Sequence, residues 1–365
     1  MSASVVQLLA LCLLAVPLSW VVPRAWALDA VALFTALAIA AFSPATVAWL
    51  LASTMLVHAA MRLGNAAQNK GLFAGMTVVL LLVGFVFSEF EHGLVWIGVS
   101  FFTLRQLHVL GDWWTGKLDP PSLRNLVRYQ FFLPVMLVGP IHRYQNFERQ
   151  AQRRRFDAGD LFSGLERCLI GAFMAYFIGG VVWGEVQLNL THRLLAPEQF
   201  TTSWLLSAVS WMQLYFVFAG LTSIALGTSL MMGMKLEENF RQPWRATSLL
   251  DFWTRWHISL TDWSRDYAYR PVMALTRSPI AGVIAAMLVI GLWHELSVYY
   301  VLWSFWQALG IIGSRFAGRF LPLDRLPVPL LRLIISLGIL GWLSLARPVI
   351  TLLLGIADDA ALSPF

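Results

Sequence analysis

Ile280-Ala281-Gly282-Val283-Ile284-Ala285-Ala286-Met287-Leu288-Val289-Ile290-Gly291-Leu292-Trp293-His294-Glu295 is apolar as far as Trp293 and then presents an imidazole and a carboxylate. It reads as a membrane span, near residues 278–296, that ends in a titratable group. Ionisable side chains at membrane depth are costly and normally face a protein interior or a wet cavity, so His294 is a candidate functional residue. A second histidine, His257, lies upstream in Asp251-Phe252-Trp253-Thr254-Arg255-Trp256-His257-Ile258-Ser259-Leu260, an aromatic and charged stretch suited to an interface. Two such histidines suggest proton chemistry within a bilayer.

Composition extends this reading to the whole chain. Of 365 residues, 58% are hydrophobic and 13% charged, and the mean hydropathy is +0.67. Soluble proteins carry about 25% charged residues, so lipid is the main solvent here. Apolar runs recur from end to end, and residues 1–365 read as one all-α polytopic membrane domain. Cys12 and Cys168 lie far apart in apolar stretches and suggest neither a disulfide framework nor a Cys-rich metal site. No P-loop, GxGxxG, HExxH or CxxC pattern occurs, which leaves nucleotide, zinc-peptidase and redox readings without support. Membrane orientation accounts for the net charge of +6 without nucleic acid.

A yardstick of roughly 17 to 25 residues per helix predicts about ten spans, near 4–22, 28–42, 45–61, 71–88, 93–110, 168–190, 204–232, 278–296, 298–314 and 331–354. The long run 204–232 has room for a break, with Gly220, Gly227 and Gly233 as candidate kinks. Residues 129–141 contain Pro134 and Gly139-Pro140 and are too short to span, so a re-entrant or buried segment fits them. No Lys or Arg precedes the first apolar run, which reads as an uncleaved helix with its N-terminus outside. That orientation puts all 26 Lys and Arg residues on inner loops and helix ends, apart from Arg193 and Arg347, in keeping with the positive-inside rule. It implies an inner-membrane protein with basic cytoplasmic loops. Arg149, Arg153, Arg154 and Arg155 form the densest basic cluster, suited to lipid headgroups or to an acidic cytoplasmic partner.

From Asp251 onward, Asp251, Arg255, Ser259, Asp262 and Asp266 recur at helical spacing. Trp253, Trp256, Leu260, Trp263 and Tyr267 recur on the other side. One amphipathic helix, charged on one face and aromatic on the other, is expected. On such a helix His257 has a structural hydrogen-bonding reading beside the functional one.

These pieces occur in the order found in a known family. The sequence resembles the membrane-bound O-acyltransferases, in particular their bacterial polysaccharide O-acetylase and teichoic-acid D-alanyl transferase branch. The resemblance runs through Ser100-Phe101-Phe102-Thr103-Leu104-Arg105-Gln106, Gly139-Pro140-Ile141-His142-Arg143-Tyr144, Phe218-Ala219-Gly220 and Glu238-Asn239-Phe240-Arg241-Gln242-Pro243. It is strongest from Asp251 to Leu260 with Arg265-Asp266-Tyr267, and ends at Gly291-Leu292-Trp293-His294. The motif-bearing core is therefore about residues 100–310. Two departures stand out: Glu295 occupies a position where the family usually has Gly, and Leu221-Thr222-Ser223 replaces a Tyr-Ser-Asp group.

The resemblance implies a helical bundle around a central tunnel, with His294 as the catalytic histidine and His257 as the second site histidine. It also implies no bound cofactor. The donor is an acyl thioester on coenzyme A or an acyl-carrier protein, and the acyl group, acetyl or D-alanyl, ends on a hydroxyl of an extracytoplasmic polymer or of a partner acyltransferase. An alcohol is a weak nucleophile until its proton is removed, and imidazole suits that task near neutral pH. A site closed to water limits thioester hydrolysis. The oxyanion needs a donor, for which Trp293, Asn239 and Arg255 are unranked candidates; Trp256 and Asp251 complete the expected tunnel residues. The predicted cytoplasmic position of His257 assigns it to donor handling. The competing readings are a transporter with a histidine-lined path and a catalytically silent scaffold.

Overall fold

Serine, asparagine and proline punctuate the apolar sequence into helices. In the computed structural model, residues 3–91, 93–136, 138–193, 200–320 and 327–355 are described. The helices are α1 (Ala3–Val21), α2 (Ala27–Ala40), α3 (Pro44–Ala66), α4 (Lys70–Phe90), α5 (Val99–Trp114), α6 (Leu123–Gln130), α7 (Tyr144–Arg153) and α8 (Ala158–Ala172). Then follow α9 (Trp183–Arg193), α10 (Phe200–Met231), α11 (Leu249–Trp253), α12 (Ile258–Ser264), α13 (Arg270–Thr276), α14 (Pro279–His294), α15 (Val298–Phe320) and α16 (Val328–Leu354). Among the described residues no strand occurs. Ser43, Asn69 and Ser278 cap α3, α4 and α14 through side-chain oxygens. Pro44 and Pro279 open their helices where no N–H partner is needed.

Among the described residues, five helices, Pro44–Ala66, Lys70–Phe90, Ala158–Thr191, Phe200–Met231 and Val328–Leu354, are long and apolar enough to cross a bilayer, and 10–21, α2 and α14 are shorter apolar helices. On α4 the residues Leu72, Met76, Val79, Leu80, Val83 and Phe87 are exposed, while Ala74, Thr77, Leu81 and Phe85 are buried. An exposed apolar stripe of that length matches lipid, not water. The protein is an all-α polytopic membrane protein.

The chain forms two compact units, one of residues 1–170 and 221–237, the other of residues 171–220 and 238–365. In the first unit, α5 starts only at Val99, later than the apolar run near 93 suggested. Its inward face is polar, and two of these side chains bond to partners distant in sequence. Gln106 Nε2 donates to Ser53 Oγ at 2.8 Å, and the Tyr144 backbone N–H donates to His108 Nε2 at 2.9 Å. Tyr129 Oη donates to the His142 carbonyl at 2.6 Å, and the Arg105 guanidinium lies 4.5 Å over the Tyr129 ring. The Ser100–Gln106 and Gly139–Tyr144 motifs thus interlock around a buried polar core, where an unmade hydrogen bond would be expensive. Phe131, Phe132, Leu133 and Val135 in the short 129–141 segment are fully buried.

Several expectations change. The run 204–232 is one helix, α10, without a break. A Cβ at Gly220 would stand 2.5 Å from the Gly171 carbonyl oxygen, and one at Gly227 would stand 2.5 Å from that of Gly164. Both glycines therefore permit close helix packing, which TM helices achieve with small residues, and do not mark kinks. The predicted span at 168–190 is the second half of a longer helical stretch that begins at Ala158 and passes through a π-helical segment, Phe173–Val182. Arg154 is not part of a surface cluster: it is buried, stacks 4.0 Å over Trp20 and donates from Nε to the Met232 carbonyl at 2.7 Å. Arg149, Arg153 and Arg155 remain exposed. Between the spans expected at 168–190 and 204–232, residues 194–199 lie outside the described residues.

Candidate active site

The continuous amphipathic helix expected from Asp251 is interrupted at its histidine. α11 ends at Trp253, and His257 takes a left-handed conformation, φ 43° and ψ 53°, before α12 begins. Such a backbone costs a non-glycine residue about 1–2 kcal/mol and persists where its surroundings hold it. Four hydrogen bonds do so here. The Ile258 N–H donates to the Asn239 carbonyl at 2.9 Å. Asn239 Oδ1 accepts from the Ser259 N–H at 3.2 Å and from Ser259 Oγ at 2.8 Å. The Leu260 N–H donates to His257 Nδ1 at 3.4 Å, so the imidazole itself caps α12.

Burial first, and His294 second, hold the His257 imidazole far below the ordinary histidine value. It is 3% exposed. In a neutral imidazole one nitrogen accepts and the other donates. With Nδ1 accepting from Leu260, the proton resides on Nε2, and His257 offers an N–H donor.

Asp251 and Arg255 serve the same scaffold. Arg255 Nε donates to Asp251 Oδ1 at 2.8 Å, one helical turn away, and the Arg241 N–H donates to the Arg255 carbonyl at 2.9 Å. Burial alone would raise the Asp251 carboxyl, but hydrogen bonds from Arg255 and Thr247 outweigh it and hold it below the usual carboxylate value.

His294 is the last residue of α14, half-buried, with its ring stacked 5.6 Å from Tyr300 and edge-on to Trp303 at 6.1 Å. Gly291, one turn earlier, makes this possible. A Cβ there would collide with Ser304 Oγ and stand 2.7 Å from the Tyr300 carbonyl oxygen. Trp293 touches both histidines, with ring centroids 5.6 Å from His257 and 4.9 Å from His294.

A cavity of about 330 Å³ lies in this unit, and both histidines line it. α10 contributes Ser207, Ser210, Trp211, Leu214 and Phe218 at helical spacing. Of the residues expected from sequence, His294, His257 and Trp256 line the cavity. Trp293, Asn239, Arg255 and Asp251 do not, and they act on it through the histidines or the turn that carries His257. Glu295, which sequence assigned no role, lies on its wall. Sequence reasoning missed Tyr300, Trp303 and the α10 face. The polar–aromatic period along 207–218 was the only signal for the α10 face. Arg347 also lines the cavity, and its signal was a cation inside an apolar span.

Residues 115–353 match the profile described as MBOAT, membrane-bound O-acyltransferase family. The chain is 32% identical over 235 residues to "Probable alginate O-acetylase AlgI" of Pseudomonas syringae pv. tomato, covering 62% of this chain and 44% of the relative. It is 30% identical over 237 residues to "Teichoic acid D-alanyltransferase" of Bacillus subtilis, covering 60% and 58%. It is 24% identical over 301 residues to "Peptidoglycan O-acetyltransferase" of Helicobacter pylori, covering 69% and 56%. The chain therefore spans about half the length of these curated relatives. The matched stretch runs through His257, His294 and the cavity they share: the chain belongs to the membrane-bound O-acyltransferase family.

Proposed function

We propose that this protein is an O-acyltransferase of the bacterial inner membrane, a single catalytic domain that moves an acetyl or D-alanyl group onto a hydroxyl of a cell-envelope polymer or of an extracytoplasmic partner enzyme. The observation that carries this reading is the shared cavity, with a donor-configured His257 and a half-buried His294 on its wall. The names of these relatives, an alginate O-acetylase, a teichoic acid D-alanyltransferase and a peptidoglycan O-acetyltransferase, support the acceptor class.

In this mechanism an acyl thioester on coenzyme A or a carrier protein enters from the cytoplasmic face. His294 takes the proton of the acceptor hydroxyl as its oxygen attacks the thioester carbonyl. The His257 Nε2–H donates to the carbonyl oxygen, first holding the donor and then stabilising the oxyanion as charge develops. Collapse of the tetrahedral intermediate breaks the C–S bond, and the leaving thiolate recovers the proton from His294. Transfer is direct and calls for no bound cofactor. The surrounding rings of Trp256, Tyr300 and Trp303 limit water in the cavity, which favours the alcohol over hydrolysis.

The test is transfer of a radiolabelled acyl group from thioester to polymer by the purified protein in lipid nanodiscs. His294→Ala should lower the rate at least roughly 100-fold, the range expected for loss of a general base, with membrane insertion and thermal stability near wild type. Equal activity in His294→Ala would overturn the mechanism.

A further inference from the structure

The first unit holds a cavity of its own, of about 510 Å³, that the reaction just described does not use. Arg24 lines it from the turn between α1 and α2, Asn125 and Arg128 from α6, and Tyr144 and Glu148 from α7. Ion pairs pin two of these walls together. Arg128 Nε donates to Asp29 Oδ1 at 2.8 Å and its Nη2 to the Ala25 carbonyl at 2.8 Å, while Arg124 Nε reaches the same Asp29 oxygen at 3.0 Å. One carboxylate thus answers two guanidiniums, and this edge of the cavity stays positive. Two further charges have no counter-charge among the described residues. Arg24 donates from Nη2 to the Gln152 carbonyl at 2.6 Å and forms no ion pair. Glu148, one turn before Gln152 on α7, is half-buried; it accepts from Asn125 Nδ2 at 3.3 Å and has no cation beside it. Tyr144 is buried next to Glu148 and Asn125, and its phenol makes no regular hydrogen bond.

A partly buried carboxylate without a cation is costly, and an unanswered guanidinium one turn away favours an anion whose oxygens match its planar fork. The pair calls for a ligand that carries an anion and a cation side by side. The setting says where such a ligand comes from. Residues 10–21 of α1 and all of α2 are apolar, and the two helices meet at this turn. Val21 and Trp26, on either side of Arg24, are exposed, and the Arg124 guanidinium lies 4.4 Å over the Trp26 ring. Exposed tryptophan at the end of an apolar helix marks the headgroup level of a bilayer, and basic pockets between membrane helices take lipid headgroups. We propose that this cavity is a phospholipid site for a phosphoethanolamine headgroup: Arg24 and Arg128 hold the phosphodiester, and Glu148, backed by Tyr144, holds the ammonium. The lipid then ties the α1–α2 turn to α7. This goes beyond the acyltransferase reading and does not depend on it.

Native mass spectrometry of the full-length protein, purified in detergent and titrated with defined ligands, tests this without turnover. The probes are phosphatidylethanolamine, phosphatidylglycerol with the same acyl chains, glycerophosphoethanolamine and coenzyme A. Wild type should bind one phosphatidylethanolamine roughly tenfold tighter than phosphatidylglycerol, about the factor that a hydrogen bond to a charged group supplies. Arg24→Met should weaken the binding of both lipids. Glu148→Gln keeps the size of the side chain and an acceptor for Asn125, and should erase the preference for ethanolamine. Equal binding of the two lipids by wild type, undiminished binding in Arg24→Met, or an unchanged preference in Glu148→Gln overturns the proposal. Glycerophosphoethanolamine bound as tightly as the intact lipid would make the ligand a soluble one, and displacement of the lipid by coenzyme A would give the cavity to the acyl donor; either result also overturns it. Should Arg24→Met fail to purify as a monodisperse protein, Glu148→Gln decides alone.

Discussion

Asn239 Oδ1 accepts two hydrogen bonds from Ser259, from the backbone N–H at 3.2 Å and from Oγ at 2.8 Å, across twenty positions of sequence. With the Ile258 N–H on the Asn239 carbonyl, this pairing holds the turn at which His257 enters its left-handed conformation. Asn239 is a positioning residue. Asn239→Ala leaves two donors of Ser259 without their acceptor, at a cost of about 1–3 kcal/mol. The expected outcome is a lowered Tm together with an activity loss at least tenfold. Ser259→Ala, which removes one of the two hydrogen bonds, should fall between Asn239→Ala and wild type in both measurements. Wild-type activity in Asn239→Ala would show that the turn keeps its shape without the clamp.

The His257 tautomer yields a second prediction. Its Nδ1 accepts from Leu260, so the group offered to the donor is an N–H, and a glutamine amide can imitate that. Loss of one oxyanion donor typically costs 10²–10³ in rate. His257→Ala should show roughly such a loss in single-turnover assays, only partly relieved by more donor, and His257→Gln should recover part of it. If raised donor alone restores the full rate of His257→Ala, His257 handles the donor and takes no part in the chemical step.

Gly291 is required by packing. A methyl group there meets Ser304 Oγ and the Tyr300 carbonyl oxygen, and overpacking of this kind costs typically about 1–3 kcal/mol. Gly291→Ala should lower Tm and also activity, because relief requires α15 to move away from α14 and carries Tyr300 off the His294 ring. Adding Ser304→Ala removes one of the two clashes and should restore part of both losses. Full activity in Gly291→Ala would mean that the His294–Tyr300 stacking is dispensable.

The fold was legible wherever one-dimensional pattern suffices. Apolar runs locate most helices to within a few residues, and the alternation of polar and apolar positions marks α11 and α12. What escaped notice depends on partners far away in sequence. Gly220 and Gly227 read equally well as kinks or as packing points until Gly171 and Gly164 are found opposite them. The break at His257 has no local punctuation: no Gly or Pro stands there, and the strain is held by Asn239 from a different segment. Arg154 looked like one more surface cation because Trp20 and Met232, which bury it, lie far along the chain. At the site, the histidines stood out as polar groups among apolar ones. Tyr300 and Trp303 did not, because aromatic residues are ordinary in a membrane helix.

Sidedness is the expectation on which transfer across the bilayer rests. Short loops rich in Lys and Arg stay inside during insertion, and only Arg193 and Arg347 depart from that arrangement. The donor then approaches from the basic face, where an acidic carrier or the phosphates of coenzyme A meet complementary charge, and the acceptor reaches His294 from the other side. Cys12 and Cys168 are both buried, and replacing them gives a background for labelling in intact cells with a membrane-impermeant thiol reagent. Thr201 and Gln152 are both exposed, so access to the reagent depends on which side of the membrane each occupies. A cysteine at Thr201 should label in intact cells, and one at Gln152 only after the membrane is permeabilised. The reverse pattern would invert the chain, and the faces assigned to donor and acceptor would exchange.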